Sequence, residues 1–218
     1  SLKKDEAIFN VLREYIKDSK DILFEGNGYS EQWSKEAKKR GLTKNRSTPE
    51  AIRVKVSKEV IRLYEDMEVM NEKDIRARHE FELDEYSLRI QIEGRVLGDI
   101  ALNHVIPTAV NYQNTLIENV RGLKEVFGKE FETIARDQLE LIKKISGHIS
   151  TITSKTAEMV EERKKANVMT NPEKKAVAYC EKVKPYFDQI RYHCDKLELM
   201  VDDELWPLVK YREMLFTR

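Results

Sequence analysis

Apolar residues recur along almost the whole chain at steps of three and four, the period of one helical face. Ile8, Phe9, Leu12, Tyr15, Ile16, Ile22 and Leu23 form the first such stretch. It stops at residues 24–29, where Gly26, Asn27 and Gly28 permit positive φ. A short helix is predicted over 30–40, ended by Gly41. Another starts at Ser47-Thr48-Pro49-Glu50, with Thr48 as N-cap and Pro49 in the first helical position, and runs to about Glu65. Asn71 caps a long helix whose acidic first turn suits the positive helix end. From Ile90 to Ile106 that helix is apolar nearly all round, so burial on several sides is expected. Gly94 and Gly98, on one face, invite close approach of a neighbouring helix. Pro107 should kink or break the helix, which then resumes as far as Phe127 and Gly128.

The C-terminal part is the most regular. Ile142, Ile145, Ile149, Ile152, Thr156, Met159 and Arg163 alternate steps of three and four. So do Cys180, Val183, Phe187, Ile190, Cys194, Leu197 and Val201. A turn at 167–171, with Asn171 as N-cap before Pro172, joins the two seams. So short a connection makes antiparallel neighbours, and a hairpin of 131–165 with 172–201 is predicted. The fold class is therefore all-α: a helical bundle with long helices, including this C-terminal antiparallel, heptad-patterned hairpin. Two units are expected. Residues 1–66 hold short helices with Gly-rich and Thr-Pro turns, and residues 71–218 hold the long-helix bundle with an aromatic tail.

Composition fits this picture. Of 218 residues, 40% are hydrophobic and 36% charged, with only 8 Gly and 5 Pro, which suits long helices with solvated faces. The 39 basic and 39 acidic side chains cancel, giving no global field toward nucleic acid or anionic lipid. No apolar stretch approaches the ~20 residues of a membrane span. The start, Ser1-Leu2-Lys3, lacks both Met and a signal-peptide core and has the look of an excised piece. Cys180 and Cys194 fall in one helix, about 21 Å apart at about 1.5 Å rise per residue, beyond disulfide reach. A reducing, cytoplasmic compartment is expected.

The search for chemistry returns no catalytic, cofactor-binding or metal-ligating residue. His79 has Arg76 three before it and Leu83 four after it, the wrong chemistry for a helical carboxylate–histidine site. His193 and Cys194 are adjacent, so they point about 100° apart on a helix. His104 reads as a core-edge histidine. There is no Gly-x-Ser-x-Gly elbow and no P-loop. Gly26-Asn27-Gly28 reads as a helix stop before it reads as a phosphate cradle. The basic run of Lys35, Lys38, Lys39, Arg40, Lys44 and Arg46 reads as a solvated helix end, and Asp202-Asp203-Glu204 as a helix start before a cation site. What remains are packing candidates. Trp206 and Tyr211 in the apolar tail 205–216 are expected anchors, and Phe187, Ile190, Tyr192 and Pro107 are further packing or interface candidates.

Several strings resemble a known family. They are residues 94–99 (Gly-Arg-Val-Leu-Gly-Asp) running into 101–109, then 112–114 and 118–124, and near the end 183–186, 190–193, 195–198, 201–208 and 210–212. Residues 24–29 and 47–50 are similar as well. Together they resemble the C-terminal region of type III glutamine synthetases over nearly the whole chain. Val209 departs, where Pro is expected. The resemblance implies a parent enzyme of the bacterial cytoplasm that makes glutamine from glutamate, ammonia and ATP with Mg. It implies stacked hexameric rings as well, with the metal- and phosphate-binding residues upstream of the stretch seen here. For this chain it implies no cofactor of its own. The expected partners are the upstream catalytic domain and neighbouring subunits of a homo-oligomer, with neither nucleic acid nor membrane among them. Two other readings stay open: a free-standing coiled-coil interaction protein, and a regulatory ligand-binding domain near residues 26–29.

Overall fold

The computed structural model describes residues 2–216, with the side chains of Leu2 and Tyr211 outside the description. Helices dominate, and no strand occurs among the described residues. In chain order they are α1 (Leu2–Asp18), α2 (Glu31–Lys39), α3 (Thr48–Val54), α4 (Lys58–Asp66), α5 (Glu72–Ile100), α6 (Ile106–Phe127), α7 (Phe131–Ile134), α8 (Arg136–Asn167), α9 (Pro172–Ala178), α10 (Pro185–Glu198) and α11 (Tyr211–Met214).

Local chemistry sets the helix starts. Ser30, Ser57, Asn71 and Asn171 each accept a backbone N–H of the first turn. At α3 the cap is Ser47 and not Thr48: Ser47 accepts from Glu50 N, while the Glu50 side chain accepts from Ser47 N. This reciprocal capping box uses both residues, and Thr48 becomes the first helical position. The helix expected to reach Glu65 is interrupted after Val54, because Ser57 caps a fresh helix over Lys58–Asp66.

Pro107 neither breaks nor ends its helix. A π turn, Ala101–Val105, joins α5 to α6, and Ile106 N–H bonds to Ala101 O, five residues back. The wider turn accommodates a ring that would otherwise meet the carbonyl four residues before it. The same device recurs before Pro185. There Lys184 N–H bonds to Tyr179 O across a second π turn, Tyr179–Val183, so α9 and α10 form one continuous arm.

That arm lies antiparallel against α8, as the seams predict. The N-terminal limit differs: residues 131–134 form the separate turn α7, and the long arm starts at Arg136. Ile145, Ile152, Met159, Val183, Ile190 and Leu197 are all 0% exposed and form the spine of the core. Each such side chain contributes about 1.5–3 kcal/mol by leaving water. Against this hairpin lies the glycine face of α5. A Cβ on Gly94 would stand 3.3 Å from the Phe187 ring, and one on Gly98 would stand 3.4 Å from Thr156 Cγ2. The lower part of α5 also takes α3 through Ile52 and Leu83, with Ala176 of α9 completing the cluster. Lys55–Glu82 and Arg53–Glu173 ion pairs border it.

Candidate docking surface

Helix α1 is amphipathic by sequence, yet among the described residues no element packs extensively over its apolar face. Ile8, Leu12, Tyr15 and Ile16 share one face and are 48%, 54%, 67% and 61% exposed. Phe9 and Val11 flank them, and Ile22 and Leu23 extend the patch past the helix end, all exposed. Apart from the 3₁₀ turn Lys20–Ile22 that follows it, α1 has no extensive packing partner. A helix of 17 residues without tertiary cover is marginal in water. These side chains form a contiguous exposed apolar patch.

The segment after α1 is firmly built. The Phe24 ring stacks on Trp33 with centroids 4.2 Å apart, and the Arg40 guanidinium lies 5.8 Å from the Trp33 ring centroid. Arg40 Nη1 also donates to Leu23 O at 2.6 Å and Asp21 O at 3.3 Å, holding the carbonyls where the chain leaves α1. The glycines here do not use positive φ, which is found at Gly41 and Gly128 instead. Gly26 is required for a different reason: a Cβ there would stand 2.5 Å from the Phe24 ring. In the basic run, Arg40 pairs with Glu36 and Arg46 with Glu31.

A second apolar stripe runs along α5. The burial expected on several sides is met on one side only. Ile90, Gly94 and Gly98 face the core, while Phe81, Leu88, Ile92 and Val96 on the opposite face are 68%, 54%, 51% and 51% exposed.

The packing candidates separate. Ile190 is fully buried, and Phe187 is half-buried against Gly94. Trp206 is 9% exposed and belongs to the main core. Pro107 is exposed. Tyr192 is 56% exposed, edge-on to His193 and under Lys196. The Tyr211 side chain lies outside the described residues. Beyond Trp206 the tail is held by Lys210, whose Nζ donates to Glu198 O at 3.3 Å and pairs with Asp203. Val209, Met214, Leu215 and Phe216 stay exposed.

One pairing escapes a linear reading. His148 of α8 and His193 of α10 meet Nδ1 to Nδ1 at 2.7 Å. The signal was present, since both residues sit one position before a seam residue, and folding the hairpin about its turn brings them level. Their ring centroids are 5.0 Å apart, so the nitrogens lie between the rings, as suits one shared proton. Cys194 beside them is only partly accessible, and burial pushes its thiol up to about 11, away from reactive thiolate.

The acidic run at 202–204 is already engaged. Asp203 pairs with Lys210 and Arg212, which hold its carboxyl below the usual range, and Asp202 Oδ1 accepts from Glu204 N at 2.8 Å. Among the described residues no three His, Cys, Asp or Glu side chains converge. No helix among the described residues is long and apolar enough to cross a membrane.

The family model of the glutamine synthetase C-terminal domain matches residues 7–124, more than half of the chain and including all but the start of the uncovered helix α1. The chain belongs to this family. A glutamine synthetase of Bacteroides fragilis is 48% identical over 216 residues, 99% of this chain and 30% of the relative. One from Butyrivibrio fibrisolvens is 28% identical over 97% of the chain and 30% of its own length. A type-3 glutamine synthetase of Dictyostelium discoideum is 24% identical over 99% of the chain and 29% of its own length. This glutamine synthetase C-terminal domain thus spans about 30% of the relatives it matches. The type III resemblance read from the sequence agrees with the Dictyostelium discoideum relative, a type-3 enzyme.

Proposed function

We propose that this domain is a non-catalytic packing element of a type III glutamine synthetase, an enzyme that ligates ammonia to glutamate with ATP and Mg. Its role is to brace the upstream catalytic part and to support assembly of the homo-oligomer. The observation that carries this reading is the apolar face of α1, uncovered within a chain that spans 30% of its relatives' length. The occupant of that face is the catalytic part of the same enzyme. Residues 1–66 act as the junction, and residues 71–218 as the rigid body behind it. The hairpin, stiffened by its buried apolar core, keeps the junction and the Trp206 tail in fixed relation.

The test uses Leu12→Asp with Ile16→Asp. Both residues are exposed in the domain alone, so its own unfolding midpoint should stay unchanged. In the complete enzyme the same pair should dissociate the assembly or expose the junction to proteolysis. An assembly that forms normally with both aspartates would overturn the reading.

A further inference from the structure

The loop between α1 and α2 carries Asn27 followed by Gly28, both exposed. The loop folds around the asparagine. Tyr29 N donates to Asn27 Oδ1 at 2.9 Å, Ser30 N donates to Asn27 O at 3.0 Å, and Ser30 Oγ donates to the same carbonyl at 2.7 Å. Such an Asx turn closes the side-chain carbonyl back over the next peptide unit. The N–H of that unit, Gly28 N–H, has no hydrogen-bond partner among the described residues. A Cβ built on Gly28 would meet nothing within 4 Å, so the space beside it is open.

No other asparagine of the chain is placed this way. Asn45 also lies in an exposed loop, but the N–H that follows it, on Arg46, is tied to Glu50 Oε2 at 2.9 Å. Asn71 is followed by Glu72, whose N–H donates to Glu65 Oε1 at 3.1 Å. Asn171 is followed by Pro172, which has no N–H. The remaining asparagines lie within helical segments, where the next N–H belongs to the backbone ladder.

We propose that Asn27 is a self-modification site, at which Gly28 N attacks the Asn27 carboxamide and converts it to aspartate and isoaspartate. Gly28 N gives its proton to solvent base and forms a bond to Asn27 Cγ. The Cγ–Nδ2 bond breaks, and Nδ2 leaves as ammonia with a proton from water, giving a succinimide. Water then adds to either imide carbonyl and opens the ring, so water is the co-reactant. During the attack negative charge develops on Oδ1, the atom that already accepts Tyr29 N–H, where a fixed donor stabilises it. With no side chain at Gly28 the attacking nitrogen stays uncrowded. Either product places a carboxylate in the loop that joins α1 to α2, and isoaspartate also reroutes the backbone through the side chain. The site is separate from the α1 apolar face and does not depend on its role.

The test incubates the 218-residue chain at pH 8 and 37 °C and follows conversion at each asparagine by peptide mass spectrometry. Asn27 should convert at least tenfold faster than Asn45, and at least as fast as the same residue in a synthetic peptide of residues 22–32. Gly28→Ala, a change the open space accommodates, should slow conversion several-fold by crowding the attacking nitrogen. Isoaspartate should appear beside aspartate, which direct hydrolysis of the carboxamide does not produce. Conversion slower in the folded chain than in the peptide overturns the proposal, because the fold would then protect the site. So does a smaller preference over Asn45, a rate unchanged by Gly28→Ala, or aspartate formed without isoaspartate.

Discussion

His148 and His193 share a hydrogen bond of 2.7 Å between their Nδ1 atoms, linking α8 to α10 near the middle of the hairpin. One nitrogen must donate and the other accept, so the contact holds a single proton. Burial, then the His193 and Lys196 charges, lowers the His148 pKa from its usual 6.5. The unfolded chain therefore takes up a proton there more readily than the folded one. Stability linked to His148 is full above about 6.5, and falls as pH drops through that value toward its lowered folded pKa. Urea midpoints should decrease between pH 7.5 and pH 5.5, and His148→Gln should flatten that dependence. A slope unchanged by the substitution would remove the pair as its source.

The two glycines of α5 should respond differently to a side chain. A Cβ at Gly98 meets Thr156 Cγ2 at 3.4 Å, an ordinary contact, so Gly98→Ala should gain up to about 1 kcal/mol from helix propensity. At Gly94 a Cβ already stands 3.3 Å from the Phe187 ring, and Gly94→Leu should cost about 1–3 kcal/mol by overpacking. Chemical denaturation of both variants checks the difference in sign.

Trp206 is the part of the apolar tail that enters the main core, at 9% exposure. Trp206→Ala should cost about 3–5 kcal/mol. Removing residues after 213, where Met214, Leu215 and Phe216 are exposed, should change the midpoint little. A larger loss from the truncation than from Trp206→Ala would mean that the tail end is the anchor.

Much of the fold was legible because helical period survives in a linear string. The hairpin followed from two seams of regular three- and four-residue steps and a short Asn-Pro turn, and the Gly94–Gly98 face from its spacing. Pro107 misled for a physical reason: proline forbids one hydrogen-bond pattern, and a π turn supplies another that a sequence does not announce. Gly26 misled because glycine signals either positive φ or lack of room, and here it is room for Phe24. Contacts between distant helices were the least legible. The His148–His193 pair depends on register between helices. The two apolar faces of α5 looked alike in sequence, although only one is covered within this chain.

The central claim is that α1 docks on the rest of a glutamine synthetase, and amide hydrogen exchange on residues 2–18 tests it most directly. In the 218-residue chain alone these amides should exchange fast, since a helix without tertiary cover opens at little cost. In the complete enzyme containing the domain they should slow by at least about tenfold, equivalent to about 1.4 kcal/mol of added protection. Equally fast exchange of α1 in both would contradict the claim.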